Sequence, residues 1–548
     1  MTSSMRATSP DEAIPVLIVG GSLVGLATSL FLSWHDVPSL LIERHAGISP
    51  LPRAGGFNAR TMEIFRTVGI ESAIDRVVPP WTKAGGSLRM ESLSGKELET
   101  VAQNIGGNES KLSPVRDRFI PQNLLEPILQ THARELGSDL RFHTELVSFQ
   151  QDADGVCALV RDCESGAEQR VRARYLVAAD GNRSTVREQL GIKVQGPGVL
   201  GHQISIFFKA DLRAALRDRH LFLCYITNSE VQGVLGIASD GLSGGLALSY
   251  PPDRDVSAEN FSSAKATAAV RAAIGQPDLP VQIQDNCTWQ MAALVAERFQ
   301  EGNIFLVGDA AHVMPPSGGF GANTGLSDAY NLAWKLAFVL NGQAGPALLA
   351  SYDCERRPVA ELTVEQAYMR SLTRLSLNPA SRLALIKEEH EHETVVFGYR
   401  YQSGAVFSEA SEQLTELFED PHLPSGHPGT RAPHIVLECN GRQLSTLDLF
   451  GQHFVLFTDT QGEAWRIAAR DASTSLGIAL DVYQVGDNAD LIDAAGDFIH
   501  AYGIATGGAL LVRPDGFIAW RSQQTQPAST LKQVIALLLS EAVASTHV

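Results

Sequence analysis

The sequence predicts a protein of mixed class, α/β joined to α+β: an open, mostly parallel sheet, an inserted antiparallel sheet, and a smaller C-terminal unit. Three observations predict it. Apolar strand-like runs end on glycine or an acid at three separated places, "VLIVGGSLVG", "YLVAADG" and "IFLVGDAA". Between the second and third, segments alternate apolar and polar residues, the mark of half-buried antiparallel strands. After a stretch dense in Pro, Gly and His, Glu419 to His434, apolar strands resume.

Length supports several units, since 548 residues exceed what one hydrophobic core organises. The formal charge is −17 and no run of Lys or Arg occurs, so nucleic acid, whose phosphates need clustered cations, is not an expected partner. The six cysteines form no CxxC and no Cys/His cluster, which argues against a metal site or a dithiol centre. They read as packing residues in a reducing, cytoplasmic setting. Val16 to Leu32 has the length of a membrane span. Gly20-Gly21-Ser22 interrupts it, however, and Asp11-Glu12 precede it where a signal would be basic, so no membrane role is expected.

The first run parses as a βαβ unit: a strand from Val16 to Val19, a glycine turn, a helix from about Val24 to Trp34, and a strand ending on Glu43. The turn, Gly20 to Gly25, matches G-x-G-x-x-G except that Ser22 replaces the middle glycine. Glycines allow the tight turn and close helix packing, and the unpaired N–H groups of the helix start can take a pyrophosphate. Serine is small enough for a phosphate to approach, and its hydroxyl is placed to add a donor. Glu43, about 20 residues on, suits a ribose hydroxyl. The second run ends on Asp180-Gly181, with Ser184 as the expected cap of a short helix carrying Arg187. The third ends on Gly308-Asp309; Pro315-Pro316 and Gly318 to Gly321 then lead into a long helix expected from about Ala322-Asn323. Acids at carboxyl ends of parallel strands sit where open α/β sheets bind ligands.

With these three stretches, "PRAGGFNARTMEIFR", "PQNLLEPIL" and "HPGTRAPHIVLECNGRQLSTLDLFG", the chain resembles the FAD-dependent aromatic hydroxylases related to para-hydroxybenzoate and phenol hydroxylases. It is most similar to those acting on aromatic polyketides, aklavinone hydroxylase among them. The resemblance covers essentially the whole chain. It implies a Rossmann-like (GR2-type) FAD-binding domain in two parts, 1–194 and 291–415, with long helices in the second. A substrate domain over 195–290, with contributions from about 81–115, and a thioredoxin-like domain without CxxC over 430–548 would complete it. FAD would contact Gly20, Ser22, Leu23, Val24, Gly25, Glu43, Arg44, Arg53, Arg118, Gln122, Val147, Asp180, Asp309, Pro316, Gly321, Ala322 and Asn323. The implied chemistry is reduction of FAD by NADPH or NADH, which would visit without a domain of its own. Oxygen from O2 would then pass, through a flavin C4a-hydroperoxide, to a small aromatic substrate.

Tyr225, in "LFLCYIT", and Arg374, in the helix after the GD stretch, are the candidates for activating a phenol, the arginine by favouring its ionised form. His312 reads as structural. Phe207, Tyr225, Trp289, Pro316 and Phe320 are candidate substrate contacts, and Trp81 to Leu98 a hairpin at the entrance. The halogenase motif WxWxIP is absent. Baeyer–Villiger oxygenation on the same scaffold, or flavin binding without oxygenation, stays open, as does monomer against homodimer.

Overall fold

The structure is a computed structural model that describes residues 12–50, 54–78, 85–105, 111–250, 261–375, 389–407, 416–526 and 528–540. Its first sheet holds a parallel core of β1 (Glu12–Val19), β2 (Ser39–Glu43), β5 (Asp139–Phe142), β6 (Glu168–Ala178) and β12 (Ile304–Leu306), in the spatial order β12-β6-β1-β2-β5. Val16 to Val19 are buried, as both faces of a parallel sheet require. Helix α1 (Leu23–Trp34) follows β1, and α4 (Phe320–Leu340) and α5 (Ser351–Leu375) follow β12. The helix of the GD stretch starts at Phe320, two residues before the expected Ala322, because Gly319 adopts φ +70° and turns the chain there.

The second sheet contains β3 (Gly85–Met90), β4 (Glu97–Ile105), β7 (Val194–Lys209), β8 (Leu221–Thr227), β9 (Gln232–Ile237), β10 (Ser243–Tyr250) and β11 (Gln282–Ala296), in the order β11-β7-β10-β9-β8-β3-β4. The expected entrance hairpin, 81–98, is the start of a longer one: 85–90 and 97–105 are antiparallel partners, the second strand running past 98, and β3 joins the sheet through β8; 81–84 lie outside the described residues. Strand β11 had no expectation of its own. It runs through residue 290, where the insertion was expected to end, on to Ala296. One face of the sheet is apolar and buried: Ile206, Phe208, Cys224, Ile226, Leu235 and Leu246 pack under α3 (Ser263–Ile274).

The C-terminal part carries β13 (Phe454–Asp459), β14 (Leu480–Val485), β15 (Ala509–Val512) and β16 (Ile518–Ser522), ordered β14-β13-β15-β16, with helices α6 (Glu463–Leu476) and α7 (Ala528–Ser540). The Pro514-Asp515-Gly516 turn forms as its residues dictate, with Gly516 at φ +80°. Asp515 and Arg513 enter a buried network there. Glu355 of α5 accepts from Arg513 at 2.6 and 2.9 Å and from Lys335 of α4 at 2.7 Å, while Asn331 donates to Asp515 at 3.0 Å. Buried charges cost several kcal/mol of desolvation and are tolerated only when fully paired. Burial draws the Lys335 ammonium down to about 8, with Glu355 opposing the shift.

The Pro/Gly/His stretch is exposed at Asp420, His422 and Leu423 and buried over 428–433. Thr430 and Ala432 are buried, Arg431 is ion-paired with Glu63 at 2.5 Å, and Gly429 donates to the Ile518 carbonyl at 2.7 Å. Composition permitted irregular backbone; hydrogen bonds from two other segments made it a packed crossing.

Candidate active site

The three expected strand ends are neighbours. Gly20 stands at φ +108°, and a Cβ there would lie 2.3 Å from the Ala179 carbonyl oxygen at the end of β6. A Cβ on Gly25 would lie 1.9 Å from the Gly20 oxygen, so both positions require glycine. Gly308, at φ +59°, and Gly325 of α4 both close on Val24 of α1. The starts of α1 and α4 are thereby drawn to the carboxyl edge of one sheet. Neither helix start receives a side-chain cap.

Ser22 is engaged from the side of a later helix. Its hydroxyl donates to Glu126 Oε1 at 2.8 Å and accepts from Gln122 Nε2 at 3.0 Å. The single hydroxyl proton is committed inward, to helix α2 (Gln122–Glu135). Gln122 is buried and also accepts from the Ala54 amide at 3.1 Å. Glu43 accepts the Gly21 amide at 2.7 Å and the His45 amide at 2.9 Å, and Arg44 beside it is exposed. Arg118 pairs with Asp75. Val147 lies in the strand Thr144–Asp152, 40% exposed, at an irregularity in its pairing. Arg53 lies outside the described residues.

At the β6 end, Asp180 Oδ2 accepts from the Val186 amide at 3.1 Å, while Oδ1 is buried without a partner among the described residues. Ser184 caps its helix, accepting from the Arg187 amide at 3.0 Å. Arg187 Nη1 reaches the Ala310 carbonyl at 2.9 Å and ties the two acid-bearing turns together. Asp309 is exposed at the end of β12. Behind it, buried Asp328 accepts from the Gly308 amide at 3.1 Å, pairs with His312 at 2.7 Å and receives Arg356 Nε at 2.8 Å. Burial alone would raise the Asp328 carboxyl; His312 and Arg356 outweigh it and hold it below the usual range. His312 thus braces the turn from inside.

In the proline–glycine loop, Pro316 is exposed while Gly321 and Ala322 are half-buried. The Asn323 side chain is fully used: it accepts from the Asn58 amide and Thr61 hydroxyl at 3.0 and 2.7 Å and donates to the Gly56 and Gly319 carbonyls at 3.0 and 2.6 Å. Phe320 is 2% exposed. Its ring stacks on His392 at 5.3 Å and lies 4.9 Å from the Arg370 guanidinium, in packing that includes Ala59 and Val395.

The face of the second sheet opposite α3 is half-buried except at Tyr225, which is buried. Register places Trp289, Ser205, Phe207, Ala247, Val234 and Tyr225 on it, with Arg89 beside Tyr225. The Trp289 indole N–H is used by Ser205 Oγ at 2.9 Å. This face meets α5: Arg89 Nη2 donates to the Arg374 carbonyl at 2.6 Å, so the two sequence candidates Tyr225 and Arg374 share a neighbour. At the other end, by Gln203 and Ser249, a cavity of about 440 Å³ opens against His202, Tyr250 and Met291. Sequence reasoning missed Arg89, Glu126 and Asp328. The alternation in "GGSLRM" carried a signal for Arg89, whereas the other two mid-helix acids are told from surface acids only by burial.

An open parallel sheet offering amide-lined turns at its carboxyl edge, facing a second sheet with a half-buried apolar wall, is the build of a nucleotide-cofactor oxidoreductase. Comparison with known proteins narrows it. Residues 13–367 match the FAD binding domain family and 425–542 the aromatic-ring hydroxylase C-terminal family. The chain belongs to the FAD-dependent aromatic-ring hydroxylases and is a flavin-dependent aromatic monooxygenase. It is 44% identical to a 4-methyl-5-nitrocatechol 5-monooxygenase of Burkholderia sp, over 97% of this chain and 98% of that one. It is 41% identical to a putative polyketide hydroxylase of Streptomyces halstedii, over 98% and 99%. Among solved structures, aklavinone-11 hydroxylase with FAD and aklavinone superposes with TM-score 0.90 at 36% identity, over 97% of this chain and 100% of that one.

The residues present fit FAD. The glycine cradle at Gly20 and Gly25, the two helix starts without side-chain caps and the unpartnered buried Asp180 Oδ1 are features that a bound dinucleotide explains and apolar packing does not. Among the described residues no cluster of metal-ligating side chains occurs, and no helix is long and apolar enough to cross a membrane.

Proposed function

We propose that the chain uses NADPH or NADH and O2 to hydroxylate a phenolic, polycyclic aromatic substrate, with FAD held where the three strand ends meet. The observation that carries this reading is the meeting of those ends opposite a half-buried wall bearing Phe207, Trp289 and Tyr225. The Leu23, Val24 and Gly25 amides would hold the pyrophosphate, Glu43 the ribose, Asp309 the ribityl chain, and the Ala322 and Asn323 amides the electron-rich edge of the flavin ring. Asp180 and Arg187 would serve both FAD and the visiting nicotinamide dinucleotide. Bound FAD supplies the activation of dioxygen. The chain's own residues orient the ring on the sheet wall, exclude water and ease ionisation of the phenol. Tyr225 and Arg374 are assigned that last task.

The strand order β14-β13-β15-β16, one parallel pair followed by antiparallel ones, supports reading 430–548 as thioredoxin-like, with 1–194 and 291–415 forming the FAD domain around the 195–290 insertion. A monocyclic nitrocatechol-type substrate is the second reading, favoured by the Burkholderia relative. The experiment is a screen of polycyclic phenols and catechols for stimulated NAD(P)H consumption under labelled oxygen gas. One labelled oxygen in the product is expected; unlabelled product refutes oxygenation. Tyr225→Phe and Arg374→Met should each lower product formation about tenfold or more at unchanged flavin content.

A further inference from the structure

Arg89 places a charge on an otherwise largely apolar wall. It is 8% exposed and sits beside Tyr225 in the β3–β8 register. Three elements meet on it: its Nε donates to Glu99 of β4 at 3.2 Å, its Nη2 donates to the Arg374 carbonyl of α5 at 2.6 Å, and its guanidinium carbon lies 5.7 Å from the centre of the Tyr225 ring of β8. Desolvating a guanidinium is costly, and a brace that needed only packing would be served by an aliphatic side chain. Its carboxylate partner Glu99 is 33% exposed, so that pairing lies toward solvent, while the contacts to Tyr225 and the Arg374 carbonyl lie inward, toward β8 and α5. The charges gathered here are three guanidinium groups, Arg89, Arg370 and Arg374, against two carboxylates, Glu99 toward Arg89 and Glu389 toward Arg370 at 3.9 Å. Arg370 stands one turn before Arg374 on α5, its pKa drawn down to about 10 by burial, with Glu389 opposing the shift and Arg374 adding to it. His392 is drawn down to about 4 by burial and then by Arg370 and Arg374. An anion entering this end of the cleft would relieve both effects.

We propose that Arg89 is a positioning residue for the hydroxylation, holding the Tyr225 ring and the Arg374 backbone so that the cleft receives its aromatic substrate as the phenolate, ionised oxygen foremost. This rests on the hydroxylase reading and adds to it the charge state and orientation of the bound substrate.

The test uses the FAD-loaded full chain as wild type, Arg89→Lys and Arg89→Met. The flavin absorbance change is titrated with 2-naphthol and with the more acidic 1-nitro-2-naphthol across pH, and product formed per NAD(P)H consumed is measured. Wild type should favour the acidic phenol, increasingly as that phenol ionises. Arg89→Met should lose about tenfold of that preference and make less product per nicotinamide oxidised, with flavin content unchanged and Tm lowered because Glu99 and the Arg374 carbonyl lose their partner. Arg89→Lys, which keeps the charge but cannot serve both contacts, should fall between. If Arg89→Met does not fold, Arg89→Lys decides by the same preference. Full retention of the preference in the folded variants overturns the proposal, and so does a uniform loss for both phenols. Absence of phenol-stimulated NAD(P)H oxidation in wild type would count against the hydroxylase reading instead, since the binding titration judges Arg89 separately.

Discussion

Gly325→Ala sets two effects of opposite sign against each other. Alanine in a helix interior is favoured over glycine by about 1 kcal/mol, so propensity alone predicts a more stable variant. The added Cβ, however, would lie 2.8 Å from Val24 Cγ2 and 3.0 Å from the Gly308 Cα. The methyl can turn aside; the backbone atom cannot without moving the end of β12. Overpacking of this kind costs about 1–3 kcal/mol, so the expected net is a loss of about 1 kcal/mol. The strain falls where α1, α4 and the Gly308-Asp309 turn meet, so FAD affinity should drop about tenfold. Gly321→Ala is the contrast, because among the described residues its Cβ would meet only Met314 Cγ at 3.6 Å, an ordinary contact. That variant should keep or slightly gain thermal stability while still weakening FAD through its place in the loop. The assays are Tm of the apoprotein and flavin fluorescence titration. A Gly325→Ala protein as stable as wild type and saturated with FAD would refute the claim that close approach of these helices builds the cofactor site.

Asp309→Ala should purify largely without FAD, read from the absorbance ratio of flavin to protein; normal flavin content would show that this strand end does not hold the cofactor. Asp328→Asn leaves His312 and Arg356 without their buried carboxylate and should cost about 3–5 kcal/mol, seen as a lowered unfolding midpoint. His392, with a folded pKa near 4 against an ordinary value of 6.5, is held neutral by burial. The unfolded chain therefore binds more protons between those values, and stability falls as pH drops from about 6.5 toward 4. His392→Phe keeps a ring against Phe320 and should flatten that part of the Tm–pH profile. Asp328 and Glu355, both held below their ordinary values, set a further loss at lower pH: their contribution is present above the usual carboxylate range and fades as pH falls through their folded pKa values.

The site's frame was legible because its signals are local. A strand that ends on glycine, a turn that tolerates no Cβ and an amphipathic helix behind it are written in adjacent residues, and Gly20, Gly25, Asp180 and Asp309 came from such runs. Strand β11 was not legible. Its polar positions Gln282, Asp285 and Thr288 blur the alternation, and its identity as a strand comes from β7, with which it pairs through several register shifts.

Sequence by itself thus determined that three apolar strands end in glycine- and acid-bearing turns, since hydrophobic periodicity and glycine conformation are properties of a few neighbouring residues. Tertiary structure decided what side chains do once distant segments meet. The Ser22 proton turns to Glu126 because α2 packs beneath it. Residues 428–433 of the Pro/Gly/His stretch are buried because Glu63 and β16 supply their partners. Arg89 acquires its neighbours only when β3 is laid beside β8 and under α5. The direction of a hydrogen bond and the burial of a charge depend on what arrives from elsewhere in the chain, which no local pattern encodes.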